Sequence, residues 1–381
     1  MTHKHGGNIY EHKNAADFSA NINFLGMPDS VRRAALDAID ASIHYPEPGS
    51  KELRQILAKR ENVSADQVIC GNGAAELMFL LAQSLRPKHA VLAQPCFFEY
   101  EQSLQAVDCQ ITNVWLRAEN GFELTTEFVS QIPADADLVI LGNPNNPTGR
   151  LIPEEVLAAV HVHCREHKIW LVADESFFDF LTEEDAAKTT EAALFEEETV
   201  FVIKSFTKMY AMPGLRVGYG ICRNTALMEK MRLLMQPWNV SLPAQMAAKA
   251  AAGEKEFAAR TAEMTAVNRG WMTEKLRACG YTVFPSCTNY LLFSGPAGLV
   301  EYAVAHGYLI RDCSNFRGLE TNKGTAAIGV RQEELMFGKA EEARQYYRIC
   351  IRSQKENEGL LAVLEAFLEK KKGATEWQKQ S

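Results

Sequence analysis

Short runs of apolar residues alternate with segments of helical periodicity through the first two thirds of the chain. Six such runs have the length and composition of buried strands, at residues 68–70, 89–93, 110–115, 138–141, 169–173 and 200–203. Between them, residues 74–85 and 154–167 show the spacing of helices. Alternating strands and helices are typical of βαβ units, so this region predicts an α/β fold with a large, mostly parallel sheet covered by helices on both faces.

The pattern changes after residue 243, where helical periodicity dominates. Residues 244–279 are rich in predicted helix, 281–285 and 289–293 predict strands, and 356–370 predict a closing helix. This composition is typical of a smaller α+β unit rather than of further βαβ repeats.

The change of pattern predicts two domains. A large domain would span residues 45–245, and a small domain would be formed by both termini, residues 1–44 and 246–381. The segment 321–345 is either a surface insertion or a lid over a ligand site, because long connecting segments serve both purposes.

The composition of the 381 residues is ordinary for a globular protein, at 47% hydrophobic and 23% charged. A formal net charge of −8 argues against a nucleic-acid partner, because such proteins carry basic patches. No segment has the apolar core of a signal peptide or the roughly 18 apolar residues of a membrane span. The nine cysteines lack a metal-binding spacing. We therefore expect a cytoplasmic protein with reduced thiols, no metal and no membrane partner.

The most specific candidate chemistry follows the predicted strand at 200–203. Lys208 comes after the hydroxyl residues Ser205 and Thr207, and a proline-glycine turn then leads to Arg216. A lysine amine can bond covalently to a carbonyl group, and hydroxyls with an arginine form a cradle for a phosphate. A surface position is the alternative for an isolated lysine, and the run from Pro213 to Arg216 argues against it.

Two other predicted strands end in polar residues that suit the same chemistry. Asp174 ends the strand at 169–173, and a loop at 143–149 with three asparagines follows the strand at 138–141. Ligands of open α/β sheets bind where the strands end, so these side chains would lie at one edge. Capping of the next helix is the alternative role for Asp174.

A glycine-rich turn and an aromatic run complete the candidate site. The turn at 71–76 joins a strand to a helix whose positive N-terminus suits a phosphate, although a plain tight turn is the alternative. The run at 95–100 offers aromatic rings that could stack on a cofactor or belong to the core. Amine, buried carboxylate, asparagine loop and anion cradle together are what pyridoxal 5′-phosphate (PLP) requires.

In their order along the chain, these residues resemble the fold-type-I PLP enzymes of the aspartate aminotransferase superfamily, from His5 to about Phe367. The resemblance is strongest to the branch that holds histidinol-phosphate aminotransferases and the L-threonine-O-3-phosphate decarboxylases of cobalamin biosynthesis. The motifs typical of the decarboxylases are His5-Gly6-Gly7-Asn8, residues 17–26 (DFSANINFLG), 236–240 (QPWNV), 289–292 (NYLL), 309–316 (LIRDCSNF) and 347–353 (YRICIRS) followed by Asn357.

The resemblance implies a role for each residue of the candidate cofactor site. Lys208 would be the Schiff-base lysine, and Asp174 would hold the pyridinium nitrogen protonated. Asn146 would contact the ring phenolate, and Phe97 would stack on the ring. The cofactor phosphate would be held by Ala74, Ala75, Ser205, Thr207 and Arg216. Tyr45 would reach the phosphate in the neighbouring subunit's site, which implies a homodimer with shared active sites.

The resemblance also implies a small phosphorylated amino-acid substrate that is bound by arginines. Arg348 matches the arginine that binds the substrate carboxylate, and Arg311 and Arg352 are candidates for the phosphate. The remaining candidates for substrate contact are His5, Asn8 and Asn23. For His5, a terminal side chain in water is the alternative.

The implied reaction is decarboxylation of L-threonine O-3-phosphate to (R)-1-aminopropan-2-yl phosphate and CO2. A histidinol-phosphate-type aminotransferase is the alternative, since the same cofactor residues serve both reactions. Phe177 stands where these aminotransferases carry a tyrosine, and it favours decarboxylation together with the motif from His5 to Asn8. A PLP-binding transcription regulator would need a DNA-binding domain before the fold, which begins here within the first few tens of residues.

Overall fold

The computed structural model describes residues 5–189, 197–320 and 344–380, with side chains up to residue 373. The chain divides into two compact units. A large unit comprises residues 22–266 and 286–289, and a small unit comprises residues 1–21, 267–285 and 290–381. A unit that is compact in its internal contacts is not by that alone a domain. The predicted large domain of residues 45–245 therefore stays a prediction.

The strands of the described residues are short and are distributed over both units. They are β1 Ala16–Asp17, β2 Val68–Gly71, β3 His89–Gln94, β4 Gln110–Trp115, β5 Leu138–Gly142, β6 Trp170–Asp174, β7 Val200–Ser205, β8 Gly218–Ile221, β9 Thr282–Val283, β10 Tyr290–Pro296, β11 Tyr308–Leu309, β12 Arg311–Asp312 and β13 Arg344–Cys350. Each strand predicted between residues 68 and 203 is confirmed within two residues of its bounds.

The helices range from one turn to more than seven turns. They are α1 Asp29–Asp40, α2 Lys51–Glu61, α3 Gly73–Leu85, α4 Phe98–Gln105, α5 Glu127–Ser130, α6 Glu154–His167, α7 Glu183–Ala186, α8 Thr225–Leu234, α9 Leu242–Ala251, α10 Lys255–Cys279, α11 Leu299–Ala305 and α12 Gln354–Gln380. Helix α6 has the predicted bounds, whereas α12 continues beyond the predicted end at residue 370.

The large unit is built on one seven-stranded sheet with the order β2-β8-β7-β6-β5-β3-β4. Strand β8 runs antiparallel to its neighbours β2 and β7, and the other neighbouring pairs are parallel. Every residue of β3, β5 and β7 is buried, which is typical of a parallel sheet with helices on both faces. The predicted α/β fold with a mostly parallel sheet is therefore confirmed.

One apolar core lies between this sheet and its helices. Leu92, Ile140, Val172 and Phe201, one from each of β3, β5, β6 and β7, belong to a single cluster with side chains of α3 and α8. This core fixes the strands relative to one another. The loops at their carboxyl ends are therefore held in register.

The small unit contains a four-stranded antiparallel sheet, β12-β13-β10-β9, and the parallel pair β1-β11. Its core includes Phe293 of β10, Tyr347 and Ile349 of β13 and Leu364 of α12, each fully buried. The segment 321–345, predicted as an insertion or a lid, lies outside the described residues except for Arg344 and Gln345, which begin β13.

The described part of the chain shows no candidate for a membrane-spanning helix or for a cluster of metal ligands. None of its helices combines the length and the apolar character that crossing a bilayer requires. No group of three or more histidine, cysteine, aspartate or glutamate side chains in that part is arranged to hold a metal ion. All nine cysteines are described and all are free thiols, seven of them buried.

Candidate active site

Lys208 lies in the loop that follows β7, and the residue is half-buried. Its Nζ is 3.4 Å from Ser205 Oγ and 5.7 Å from the centre of the Phe177 ring. Its backbone carbonyl accepts a hydrogen bond of 3.1 Å from the Asn23 N–H. The loop therefore fixes the backbone at Lys208 and places its amine next to Ser205.

Asp174 ends β6 and is 7% exposed, and each of its carboxylate oxygens accepts a hydrogen bond. The Tyr100 hydroxyl donates to Oδ2 at 2.8 Å, and the Ser176 N–H donates to Oδ1 at 2.9 Å. A buried carboxylate is costly unless such donors compensate it. The N-cap of the following helical turn is Phe177, so the alternative capping role of Asp174 is wrong.

Sequence reasoning placed Tyr100 in the aromatic run at 95–100 but missed its contact with Asp174. Tyr100 lies on α4, its side chain is buried, and its ring meets that of Phe97 edge to face with 5.6 Å between centroids. Phe97 itself is half-buried at the start of α4. The available signal was that a buried tyrosine hydroxyl needs a hydrogen-bond partner, and Asp174 is that partner.

The asparagine loop is fixed by two of its three asparagines. Asn143 accepts a hydrogen bond from the Ile152 N–H at 2.9 Å and donates to Thr189 Oγ1 at 3.0 Å. Asn145 donates to the Pro95 carbonyl at 2.9 Å. The third, Asn146, is half-buried in a loop that its neighbours hold in place. This arrangement matches the expectation that the loop fixes an amide side chain at the edge of the sheet.

Groups that suit an anion surround the start of α3. Gly73 begins this helix with a φ of +80°, and a Cβ there would overlap the Arg216 guanidinium. Ala74 and Ala75 follow in the first turn, whose N–H groups have no partner within the helix. The guanidinium and the positive end of the helix therefore lie side by side, which is a favourable environment for an anion.

The hydroxyl residues join these groups through strand pairing. Ser205 at the end of β7 lies opposite Gly218 of β8, and a Cβ on Gly218 would come within 2.8 Å of the Ala74 nitrogen. The hydroxyl oxygens of Ser205 and Thr207 are 2.8 Å apart. Hydroxyls, guanidinium and helix N-terminus thus all lie in the large unit, and their joint binding of a phosphate stays a prediction.

Two residues of the large unit that were predicted to contact cofactor or substrate make contacts with other groups of the protein. Tyr45 is 76% exposed and stacks on Trp238 with 4.3 Å between ring centroids. Asn23 is buried, and its Nδ2 donates to the Met209 carbonyl at 2.7 Å and to Thr261 Oγ1 at 3.1 Å. The Asn23 side chain thus fixes the loop next to Lys208. A direct contact of either residue with a ligand stays a prediction.

The small unit brings together two arginines that were predicted to bind the substrate. Arg311 of β12 and Arg348 of β13 are directly opposite each other in the sheet, and both are buried, at 7% and 6% exposure. The Arg311 guanidinium donates to Asn315 Oδ1 at 2.8 Å, and that of Arg348 lies over the Tyr290 ring. Like charges at opposed positions repel each other, so an anion between them would be stabilising.

The N-terminal motif packs close to this arginine pair. The Gly7 N–H donates to Ser19 Oγ at 2.7 Å, and a Cβ on Gly6 would overlap the Ser19 carbonyl. The same carbonyl accepts a hydrogen bond of 3.0 Å from Arg348. His5 and Asn8 flank the two glycines and are exposed. The motif and Arg348 are therefore connected through a single residue, Ser19.

Arg352 is engaged by protein groups of the small unit. Its guanidinium pairs with Glu356 at 2.7 Å and donates to the Asp17 carbonyl at 2.9 Å. Although burial opposes this, hydrogen bonds from Ser353 and Arg352 hold the pKa of Glu356 below its usual value. The structure gives Arg352 a role in fixing the segment that leads to Ser19, and its contact with a substrate phosphate stays a prediction.

Comparisons with known proteins show which family the chain belongs to. Residues 13–364 match the family model described as aminotransferase class I and II. A protein of Salmonella typhimurium named threonine-phosphate decarboxylase is 34% identical over 96% of each chain. The structure of L-threonine-O-3-phosphate decarboxylase from Porphyromonas gingivalis aligns with a TM-score of 0.74 at 26% identity, over 92% of this chain and 99% of that one.

A histidinol-phosphate aminotransferase is also similar. The structure of that enzyme from Clostridium acetobutylicum aligns with a TM-score of 0.79 at 26% identity, over 93% of this chain and 99% of the other. The amine of Lys208, the carboxylate of Asp174 and the anion-binding groups around Gly73 fit PLP, which is the cofactor of these enzymes. The protein thus belongs to the class I and II aminotransferase family of PLP-dependent enzymes.

Proposed function

We propose that the protein is a threonine-phosphate decarboxylase of cobalamin biosynthesis. It would convert L-threonine O-3-phosphate and a proton into (R)-1-aminopropan-2-yl phosphate and CO2. The observation that carries this proposal is the buried pair of Arg311 and Arg348 on adjacent strands. A substrate with a carboxylate and a phosphate offers two anionic groups to two guanidiniums. The similarity to the decarboxylase of Salmonella typhimurium over 96% of each chain supports the choice of substrate.

The residues of the large unit would hold the cofactor. Lys208 would bind it covalently, Asp174 would keep its ring nitrogen protonated, and Asn146 and Phe97 would contact the ring. Its phosphate would be bound by Ala74, Ala75, Ser205, Thr207 and Arg216. When bound, PLP supplies an acceptor for the electron pair that a breaking bond at Cα releases.

The arginines would decide which bond at Cα breaks. Arg348 would hold the carboxylate and Arg311 the phosphate, so that rotation about the bonds of the substrate is restricted. Such positioning of a reactant can contribute several kcal/mol to catalysis. The substrate amine would first displace Lys208 from the cofactor, and the released Lys208 amine would take up the proton that the reaction consumes. After CO2 leaves, Lys208 would deliver this proton to Cα. Ser205 Oγ, 3.4 Å from that amine, would help to hold it in place.

A histidinol-phosphate-type aminotransferase is the second candidate. The similarity to the enzyme of Clostridium acetobutylicum supports it, and the cofactor residues serve it equally well. Phe177 argues against it, because this side chain offers no hydroxyl to the cofactor, and its ring lies under the Lys208 amine instead. The packing of Gly6 and Gly7 onto Ser19 also favours the decarboxylase, whose family carries this motif.

The protein would act as a homodimer with shared active sites. Several large apolar side chains of the large unit are exposed, and a second copy would cover them: Leu36, Ile39, Ile43, Tyr45, Leu233 and Trp238. Tyr45 would then be available to the phosphate site of the partner. Sedimentation equilibrium tests this directly, since a monomer at micromolar concentration contradicts the proposal.

The experiment that tests the function is an assay of purified protein with PLP and L-threonine O-3-phosphate, without any keto acid. Release of one CO2 for each aminopropanol phosphate supports the decarboxylase. A parallel assay offers histidinol phosphate with 2-oxoglutarate and measures glutamate. Glutamate without CO2 in the first assay would replace the decarboxylase by the aminotransferase. O-phosphoserine is the third substrate to test, because it differs only by a methyl group.

A further inference from the structure

A group of charged side chains is buried on the large unit, outside the residues assigned to the cofactor. Lys204 of β7 has a side chain that is 9% exposed, and its Nζ lies 3.1 Å from Glu61 Oε2 and 3.3 Å from Glu175 Oε2. The two carboxylates are as deeply buried, with side-chain exposures of 8% and 1%. One ammonium group therefore connects helix α2 to the segment that follows β6.

The group extends to the far side of the Lys208 loop. Arg60, next to Glu61 on α2, donates to the Tyr210 hydroxyl at 3.2 Å. Arg60 also pairs at 3.0 Å with Asp179, whose side chain is 29% exposed and lies at the margin of the group. The Tyr219 hydroxyl donates to Glu61 Oε1 at 2.6 Å. These side chains form a buried ion cluster, which consists of Arg60, Glu61, Glu175, Asp179 and Lys204 with the hydroxyls of Tyr210 and Tyr219.

The buried ion cluster lies directly behind the residues that bind the cofactor. Side chains alternate between the two faces of a strand, so Lys204 and Ser205 point to opposite faces of β7. Glu175 follows Asp174 in the same way, and its N–H donates to the Ile203 carbonyl at 2.8 Å. Tyr219 is opposite Lys204 in the sheet, just as Gly218 is opposite Ser205.

The cluster also holds both ends of the loop that carries the reactive lysine. Lys204 lies before this loop and Tyr210 lies after it, with Lys208 between them in sequence. Tyr210 is fully buried, and burial raises the pKa of its hydroxyl to about 12, so it remains a neutral group next to Arg60. Movement of either anchor would displace the loop and therefore the Lys208 amine.

We infer that the buried ion cluster is a positioning device for the cofactor-binding residues, and that Lys204 and Glu175 are its central positioning residues. Apolar side chains of similar volume often stabilise a protein as well as a buried ion pair does, so stability alone does not require these charges. Paired charges define distances and directions that apolar contacts leave open. The inference concerns how PLP is held, so it does not depend on which substrate the enzyme uses.

The test replaces Lys204 by methionine, which keeps the length of the side chain and leaves two buried carboxylates without their shared ammonium group. Loss of position by a remote substitution can change rates by orders of magnitude, so we expect PLP to dissociate roughly tenfold faster or more. The visible absorption band of the lysine-bound cofactor should shift as well. Both quantities are measured on the holoenzyme without substrate, so a wrong decarboxylase assignment cannot affect them.

A second variant and a control keep the test decisive. Glu175→Gln preserves the shape of the side chain and leaves the pair of Lys204 with Glu61 intact. We expect it to speed PLP dissociation and to shift the absorption band in the same direction as Lys204→Met, by a smaller factor. This variant tests the inference even if Lys204→Met does not fold. Val160→Ala creates a cavity under α6, where the side chain is fully buried, and should lower Tm without faster release of PLP. The inference is overturned if both cluster variants release PLP at the wild-type rate with an unshifted band. It is also overturned if Val160→Ala loses as much Tm as the cluster variants and releases PLP as fast as they do.

Discussion

At the scale of single residues, the buried carboxylate of Asp174 depends on one side chain that is distant in sequence. Its Oδ2 accepts the Tyr100 hydroxyl, and its Oδ1 accepts a local N–H. The local bond would persist in any variant that keeps the turn. Tyr100 is therefore the point at which the orientation of Asp174 can be changed without altering the carboxylate itself.

Tyr100→Phe should lower kcat about tenfold or more, because a hydrogen bond to a charged group contributes about 1.5–3 kcal/mol. Steady-state kinetics with the preferred substrate measures this effect. Tyr281→Phe is the matched control, since that hydroxyl also donates from a buried ring, but to the neutral carbonyl of Leu364. An unchanged kcat in Tyr100→Phe would mean that Asp174 needs no orienting partner.

Gly73→Ala should weaken PLP binding at least tenfold, on the order of 1.4 kcal/mol or more. A methyl group there would overlap the Arg216 guanidinium, and a φ of +80° is strained for any residue with a Cβ. Titration of the apoenzyme with PLP, followed by absorbance, gives the dissociation constant. Gly214→Ala is the control, since a Cβ at Gly214 has no neighbour within 4 Å and should leave the affinity intact.

At the scale of elements, strand pairing makes an anion site from two distant segments. Neither β12 nor β13 shows a ligand site by itself, and the pairing of Arg311 with Arg348 creates one. The small unit should therefore respond to simple anions even without an amino-acid substrate.

Arg311→Gln should reduce the rise in Tm that inorganic phosphate causes, because a ligand that binds the folded state raises Tm according to its affinity. Loss of a charge-assisted bond of about 1.5–3 kcal/mol corresponds to roughly 10- to 100-fold weaker binding. Differential scanning fluorimetry at several phosphate concentrations gives the comparison. Arg344→Gln, at the other end of β13, is the matched control, as its guanidinium donates to Thr282 Oγ1. Equal phosphate effects in both variants would argue against an anion site at Arg311.

Sequence patterns predicted elements that have an apolar run or a clear helical periodicity, and they missed β8 and α4, which have neither. Strand β5 and the first four residues of β7 are continuous apolar runs, so their burial follows from composition. Strand β8, with the sequence Gly-Tyr-Gly-Ile, has half its residues without side chains, and its glycines are required by the close approach of Ala74 and Phe201. Helix α4 has charged and aromatic residues in its first turn, which conceal its buried face.

The same reasoning explains how much of the site was predictable. Lys208, Asp174 and Arg216 follow from local sequence, because each ends or follows a strand of one sheet. The bond from Tyr100 to Asp174 and the pairing of Arg311 with Arg348 depend on the packing of segments that are distant in sequence. No local pattern contains that information, and only the order of motifs suggested that these residues belong together.

At the scale of the whole molecule, buried thiols make the free energy of unfolding fall with rising pH in the alkaline range. Burial raises the pKa of Cys70, Cys164 and Cys222 to about 12 from an ordinary value of 9.0. Because the pKa is higher in the folded state, these neutral thiols contribute stability that is complete below pH 9. That stability is lost as the pH rises toward 12.

We therefore expect Tm to be constant with respect to these thiols up to about pH 9 and to fall above it, since each unit of pKa shift corresponds to about 1.4 kcal/mol. Calorimetry between pH 7 and pH 11 measures this decline. Cys164→Ala should make the decline shallower, because one buried acid is removed. A slope that is identical in this variant would assign the alkaline loss of stability to other groups.

The pairing of Lys204 with two carboxylates has a consequence for chemical labelling. An ammonium group held by Glu61 and Glu175 is a poor nucleophile, so Lys204 cannot compete with Lys208 for a carbonyl compound although only four positions separate them. Borohydride reduction of the holoenzyme followed by trypsin should cut after Lys204 but not after Lys208. The labelled peptide would then run from Ser205 to Arg216, and its mass alone would identify the modified lysine.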